Sequence, residues 1–172
     1  MRFLLILCLG VLLVLAGCIG PFDGPTEQDR PVMIVVNNSA NATHTFEVWV
    51  AEGKLDNKEI TIRKRDDEDD YASPGGGLSG YRFREHYGYV TSIELPPNRS
   101  RLHGRYSLEP GEKNRSLVEN FTVGSTIVVV VSENDRVFSL VAARCGGGTL
   151  VGLEVTSRPD PIGGVRSAYE CW

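Results

Sequence analysis

The stretch TIVVVV at residues 126–131 gives the clearest indication of the fold class of this chain. A strand with one face in solvent alternates apolar and polar side chains, and this stretch shows no such alternation. It therefore predicts a central strand that is buried on both faces. No segment of the folded part shows helical periodicity over a convincing length, so the prediction extends to an all-β protein.

Short apolar runs broken by turn residues extend outward from this strand in both directions. In residues 43–51, the even-numbered positions from Phe46 to Val50 are apolar and share one face of a strand. Residues 81–95 and 100–108 are predicted to form a hairpin around Pro96-Pro97-Asn98. The predicted strands, about nine in all, are 31–36, 43–51, 59–63, 81–95, 100–108, 126–131, 137–145, 149–156 and 165–172.

Length and composition fit one globular domain. The chain has 172 residues, of which 41% are hydrophobic and 23% charged, and this balance argues against wholesale disorder. We predict a single antiparallel β-sandwich over residues 31–172. The net charge of −4 argues against nucleic acid as the main partner, because duplex binding needs a basic surface.

Three segments of the predicted sandwich carry a family resemblance. NNSANATHTFEVWV at 37–50, LEPGE at 108–112 and FTVGSTIVVVV at 121–131 resemble the immunoglobulin-like or cupredoxin-like sandwiches of archaeal surface proteins. A cupredoxin-like fold would imply a copper site of two His and one Cys, often with Met. No His or Met follows Cys145, and His44, His86 and His103 occur singly, so we expect no metal site and no cofactor.

The amino-terminal residues indicate export. FLLILCLGVLLVLA at 3–16 follows Arg2 and has the length of a secretory apolar region, short of a full membrane span. Leu15-Ala16-Gly17-Cys18 resembles the lipobox of prokaryotic lipoproteins. The resemblance implies a signal peptide over 1–17, a lipid on Cys18 and attachment to the extracytoplasmic face of the cell membrane. Residues 18–30 then form a flexible tether, while the alternative is an ordinary signal peptide or an uncleaved anchor with Cys18 incidental.

The remaining cysteines, Cys145 and Cys171, form an even pair in an oxidising compartment. A disulfide between them would close a loop of roughly 27 residues and contribute on the order of 3.5 kcal/mol. It would also hold the carboxyl-terminal strand in place. The alternatives are free thiols or a metal site.

Five N-x-S/T sequons suggest a glycosylated surface on an exported protein. Turn geometry alone also explains Asn in the segment NNSANAT. The acceptor residues are Asn37, Asn41, Asn98, Asn114 and Asn120.

No catalytic signature stands out. The chain has no G-x-S-x-G elbow, no H-E-x-x-H helix and no phosphate-binding loop, so we do not predict an enzyme. The acidic run from Asp66 to Asp70 lacks the glycine that a calcium loop of EF-hand type requires at its sixth position. We interpret it as a solvated loop, with weak calcium binding as the alternative.

Arginines recur at every second position in each strand of the predicted hairpin, or at multiples of that spacing. If an even number of residues connects its strands, the arginine rows fall on one face and could contact an anionic partner. Cross-strand pairing with Glu is the alternative. The residues are Arg82, Arg84, Arg99, Arg101 and Arg105.

Three functions remain open from the sequence. The first is a non-enzymatic binding or envelope-interaction module that contacts an unknown envelope protein or glycan. The second is a metal or electron carrier of cupredoxin type that lacks the standard ligands. The third is an accessory subunit of an envelope enzyme or transporter.

Overall fold

A computed structural model describes residues 30–56, 59–65, 70–72, 81–83, 89–159 and 164–172. Its regular structure within these ranges is entirely β-strand, which confirms the predicted all-β class. The strands are β1 Val32–Asn38, β2 His44–Ala51, β3 Ile60–Lys64, β4 Asp70–Ala72, β5 Tyr81–Arg82, β6 Val90–Glu94, β7 Ser100–Leu108, β8 Lys113–Val118, β9 Thr126–Glu133, β10 Arg136–Ala143, β11 Leu150–Arg158 and β12 Gly164–Cys171.

The strands form three sheets stacked in layers. An outer sheet has the order β12-β11-β1-β8, a middle sheet has the order β5-β10-β9-β2-β7, and a small sheet has the order β4-β3-β6. Most neighbours are antiparallel, whereas β1 and β11 run parallel. The predicted sandwich is therefore present, with a third layer added to its two main sheets.

Strand β9 lies inside the middle sheet and is buried on both faces, as its sequence predicts. Ile127, Val129 and Val131 belong to the core between the middle and outer sheets. Val128 and Val130 belong to a second core between the middle and small sheets. Full burial of each of these side chains contributes about 1.5–3 kcal/mol, so this one strand stabilises both cores.

The two cores are filled from alternate positions of the neighbouring strands. Phe46, Val48 and Val50 of β2 enter the first core, where Val32, Ile34 and Val36 of β1 face them. The second core receives side chains from β3, β6, β10 and the segment after β5: Ile60, Ile62, Val90, Ile93, Leu140 and Phe83. Phe83 is thus a buried residue of the second core.

The predicted hairpin of 81–95 with 100–108 is wrong. Strand β6 pairs with β3 in the small sheet, and β7 pairs with β2 in the middle sheet. The segment at 95–99 therefore carries the chain from one sheet to another, and its Pro-Pro pair does not join two partners of one ladder.

Candidate functional site: the outer face of the outer sheet

The outer sheet turns one face to the core and the other away from it, because side chains alternate along each strand. On β1, Val32, Ile34 and Val36 are buried, while Met33 is 47% exposed on the opposite face. Val35 shares that second face with Met33. We call the whole surface on this side of the sheet the outer face.

Register across the sheet places an apolar row at one end of the outer face. Met33 lies opposite Leu117 of β8 and Gly152 of β11, and Gly152 in turn lies opposite Glu170 of β12. Leu117 is 51% exposed. Since Gly152 has no side chain, the surface sinks between its neighbours and forms an open depression of about 680 Å³.

Aromatic residues at the carboxyl terminus border this depression. Trp172 is 76% exposed and Tyr169 is 41% exposed. The backbone of Trp172 is fixed because its N–H donates to the Thr149 carbonyl at 2.9 Å and its carbonyl accepts from the Thr149 N–H at 2.8 Å. The Arg30 guanidinium carbon lies 6.0 Å from the centre of the Trp172 ring. The described chain therefore begins and ends beside the same depression.

The predicted disulfide is present next to this end of the sheet. Cys145 and Cys171 are bonded, with Cα atoms 5.9 Å apart and a sequence separation of 26. Cys145 is buried in the first core, while Cys171 ends β12. The bond thus ties the exposed edge strand β12, and with it Trp172, to the core.

Basic side chains occupy the other end of the outer face. Lys113 and Arg115 of β8 share this face with Met33, because they lie opposite Asn37 and Val35. Arg158 of β11 lies on the same side of its strand as Gly152, and Arg166 of β12 lies opposite Thr156. Both arginines therefore also lie on the outer face. Glu154 lies among them, with its carboxylate 3.5 Å from the Lys113 ammonium group, whereas Glu170 lies at the end of Met33, opposite Gly152.

The arginines predicted to form one cationic surface do not come together. The backbone of Arg82 lies in β5, at one edge of the middle sheet, and Arg99, Arg101 and Arg105 lie in or beside β7 at the other edge. Four strand spacings separate these edges, or about 19 Å. Arg84 and the Arg82 side chain lie outside the described residues.

A β-bulge separates the arginines of β7 from one another. Val48 lies opposite Gly104 and Trp49 opposite Leu102, so His103 is the extra residue of the bulge. Because of this extra residue, odd-numbered residues before and after the bulge point to opposite faces of the sheet. Arg105 lies on the face of Glu47, whereas Arg101 lies on the face of Val50. The prediction of one arginine row along β7 is therefore wrong.

Two of these arginines have structural partners. The Arg99 guanidinium donates to the carbonyls of Glu52 at 3.1 Å and Lys54 at 3.2 Å, and it also pairs with Glu59. Arg105 pairs with Glu47 on the adjacent strand. The alternative of cross-strand pairing with Glu thus holds for Arg105, whose partner lies on β2.

His44 is buried at the start of β2 and shows no features of a metal ligand. Its ring lies 4.8 Å from that of Phe138, and its Nε2 atom is 3.9 Å from a Glu133 carboxylate oxygen. Burial lowers the pKa of His44, and the Glu133 carboxylate opposes this shift. Cys145 sits at the other end of the middle sheet, about 20 Å away along the strands, and is in the disulfide.

In the described part of the chain, no group of three or more His, Cys, Asp or Glu is placed to hold a metal ion. His86 and residues 66–69 of the acidic run lie outside that part. No helix of the described residues is long and apolar enough to cross a membrane. Cys18 and the rest of the amino-terminal segment also lie outside it.

The Asn-rich turn is organised by Asn38, which sequence patterns did not single out. Its Nδ2 donates to the carbonyls of Ala42 and Leu108, both at 2.8 Å. Its Oδ1 accepts from the Ala40 N–H at 3.0 Å and from the Ser157 hydroxyl at 2.9 Å. Asn38 is thus buried and fully hydrogen-bonded, and its role is structural.

The sequon asparagines differ in accessibility. Asn37 and Asn114 are half-buried within strands β1 and β8, and the Asn114 Oδ1 is turned inward. The other three are exposed outside the strands: Asn41, Asn98 and Asn120.

Comparisons with known proteins assign no family. No family model matches the chain, and no curated protein matches it. A solved structure described as "Trapped Toxin" is similar over 84% of this chain, with 10% sequence identity and a TM-score of 0.35. The match spans 24% of that protein, about a quarter of its length.

Sequence reasoning missed the outer face. The continuous apolar run PVMIVV at 31–36 does not distinguish inward from outward positions, so the outward direction of Met33 and Val35 cannot be predicted from it. Strand β8 was not predicted either, although Lys113, Arg115 and Leu117 alternate with residues of lower exposure. The sequence KNRSLV itself shows no alternation of apolar and polar residues, so it offered no signal for a strand with one face in solvent.

Proposed function

We propose that this chain is a lipid-anchored protein of the extracytoplasmic membrane face, whose sandwich serves as a non-enzymatic binding or envelope-interaction module. The observation that carries the proposal is the Leu15-Ala16-Gly17-Cys18 motif directly after a short apolar run. A lipid with two chains on Cys18 would give stable anchoring, whereas one chain would be marginal.

Two features of the folded part support this proposal. A disulfide between Cys145 and Cys171 suits an oxidising compartment outside the cytoplasm. The exposed sequon residues Asn41, Asn98 and Asn120 are accessible to glycosylation there, and we extend the proposal to glycans at these three sites.

The binding role is assigned to the outer face. It brings exposed apolar side chains together beside basic residues, and clustered apolar surface marks interaction sites in folded proteins. An interaction module needs an accessible surface rather than a catalytic constellation, and this face provides one.

Replacing the lipid-accepting cysteine tests the anchor. We expect Cys18→Ser to leave the membrane fraction, or to accumulate with its leader uncleaved, because serine cannot form the thioether to the lipid. Fractionation of cells with mass analysis of the protein measures both outcomes.

Cys8→Ser is the matched control, since Cys8 lies within the leader and would be removed with it. This variant should be processed and anchored like the natural protein. A Cys18→Ser protein that is processed normally and still remains in the membrane fraction would show that the anchor is not a lipid on Cys18.

A further inference from the structure

Exposed apolar side chains are concentrated at one end of the molecule. Six large hydrophobic residues are exposed in the described ranges, and five of them lie on the outer sheet, at the carboxyl terminus or in the loop after β8. Only Leu102 belongs to another sheet, where it lies on the edge strand β7 of the middle sheet. Three of the five, Met33, Leu117 and Trp172, form what we call the apolar end of the outer face, whereas Tyr169 lies opposite Leu153 on the core-facing side of β12 and Val123 lies in the loop.

The anchoring segment enters the domain at the same place. Arg30 lines the depression and precedes β1, twelve positions after Cys18 (30 − 18). A fully extended chain of that length spans about 40 Å, comparable to a domain diameter. A lipid on Cys18 would therefore keep the apolar end within reach of the bilayer and raise its effective concentration there.

The chemistry of the outer face also fits a lipid surface. Aromatic side chains such as that of Trp172 favour the headgroup level of a bilayer, where the ring can be buried while its polar group stays wet. Five cations accompany them on a protein of net charge −4, and two carboxylates share the face. Basic residues beside an apolar surface attract anionic headgroups. The cations are Arg30, Lys113, Arg115, Arg158 and Arg166.

From these observations we infer that the apolar end of the outer face rests on the surface of the lipid bilayer, with Trp172 at headgroup level and the flanking basic residues against anionic lipid. This inference rests on the proposed anchor at Cys18, which brings the domain to the membrane. The opposite side of the molecule, with the small sheet, then faces away from the bilayer.

The two tryptophans allow a direct test, because the chain contains only Trp49 and Trp172. The lipid-bearing full chain is reconstituted in vesicles of phosphatidylcholine and phosphatidylglycerol with brominated acyl chains, which quench nearby tryptophan. In the Trp49→Phe variant, Trp172 reports alone. In the Trp172→Phe variant, the half-buried Trp49 of the middle sheet reports alone and serves as the control.

We expect the brominated lipid to reduce Trp172 fluorescence at least about twofold more than Trp49 fluorescence, since only Trp172 would reach headgroup depth. Flotation of the same samples separates the two proposals. If the protein does not float with the vesicles, the anchor itself fails. If it floats and Trp172 is quenched no more than Trp49, the anchor stands and the bilayer contact is refuted, which leaves the face for a protein partner.

Two substitutions that introduce a negative charge provide a second test. Leu117 and Leu102 are 51% and 45% exposed on edge strands of different sheets, so Asp at either site should be tolerated by the fold. Leu117→Asp should lower the quenching of Trp172 towards the level of Trp49, because a carboxylate opposes burial in lipid. Leu102→Asp should leave it unchanged, and equal effects of the two variants would contradict the inference.

Discussion

Gly148 shows how one residue without a side chain holds the carboxyl terminus in place. A Cβ atom at this position would lie 1.9 Å from the Trp172 carbonyl oxygen and 2.8 Å from its carbonyl carbon. Backbone atoms cannot yield as a flexible side chain can. We therefore expect Gly148→Ala to displace Trp172 and to break its two hydrogen bonds with Thr149, at a cost of about 1–3 kcal/mol in the free energy of unfolding.

Urea denaturation of the full chain measures this cost. Gly147→Ala is the matched control, because a Cβ there meets no atom within 4 Å. Both substitutions change the unfolded chain in the same way, so their difference isolates the contact with Trp172. Equal stability of the two variants would mean that Trp172 is not held against Gly148.

Among single residues, Asn38 shows a limit of sequence-based prediction. Its place in NNSANAT correctly indicated a turn, because Asn side chains bond to nearby backbone groups. Its bonds to Leu108 and Ser157, however, span 70 and 119 positions along the chain. A local pattern holds no information about such partners, and the burial of Asn38 could not be predicted.

Strand β9 is the element that the sequence predicts best, because burial on both faces leaves a local pattern. The structure now allows a test of each face separately. Val128→Ala should destabilise the second core and Val129→Ala the first, each by about 1.5–3 kcal/mol, since both side chains are fully buried. Unfolding in urea measures both losses.

Val123→Ala is the control for these variants, because Val123 is 37% exposed in the loop before β9. Its effect should stay within about 0.5 kcal/mol. A loss at only one of the two core positions would mean that β9 contributes to a single core.

The pairing of β6 and β7 was not predictable in the same way. Two adjacent strands around a Pro-Pro turn favour a hairpin, but the choice of partner depends on cores that form between distant segments. Val90 and Ile93 of β6 pack in the second core with β3, and Leu108 of β7 packs in the first. The bulge at His103 then changes the face on which Arg101 lies, and no short sequence motif predicts this bulge.

At the scale of the whole molecule, the Cys145–Cys171 disulfide compensates for the weak attachment of an edge strand. All side chains of β12 are exposed or half-buried, and the first core receives from it only a partly buried Val165. Its other links are the ladder with β11 and the backbone pair of Trp172 with Thr149. The sequence predicted the bond because two cysteines remained once the predicted leader and the predicted lipid site were set aside, but it could not predict the surface that the bond supports.

We expect the double variant Cys145→Ser and Cys171→Ser to lose about 3.5 kcal/mol in the free energy of unfolding, as the entropy of an open loop predicts. The loss should be local as well as global. Amides of β12 should lose their protection from hydrogen exchange first, while amides of β9 at the centre should stay protected until the whole domain unfolds. If β12 and β9 exchange at equal rates in the double variant, the core holds β12 without the disulfide, and the position of Trp172 on the outer face does not depend on that bond.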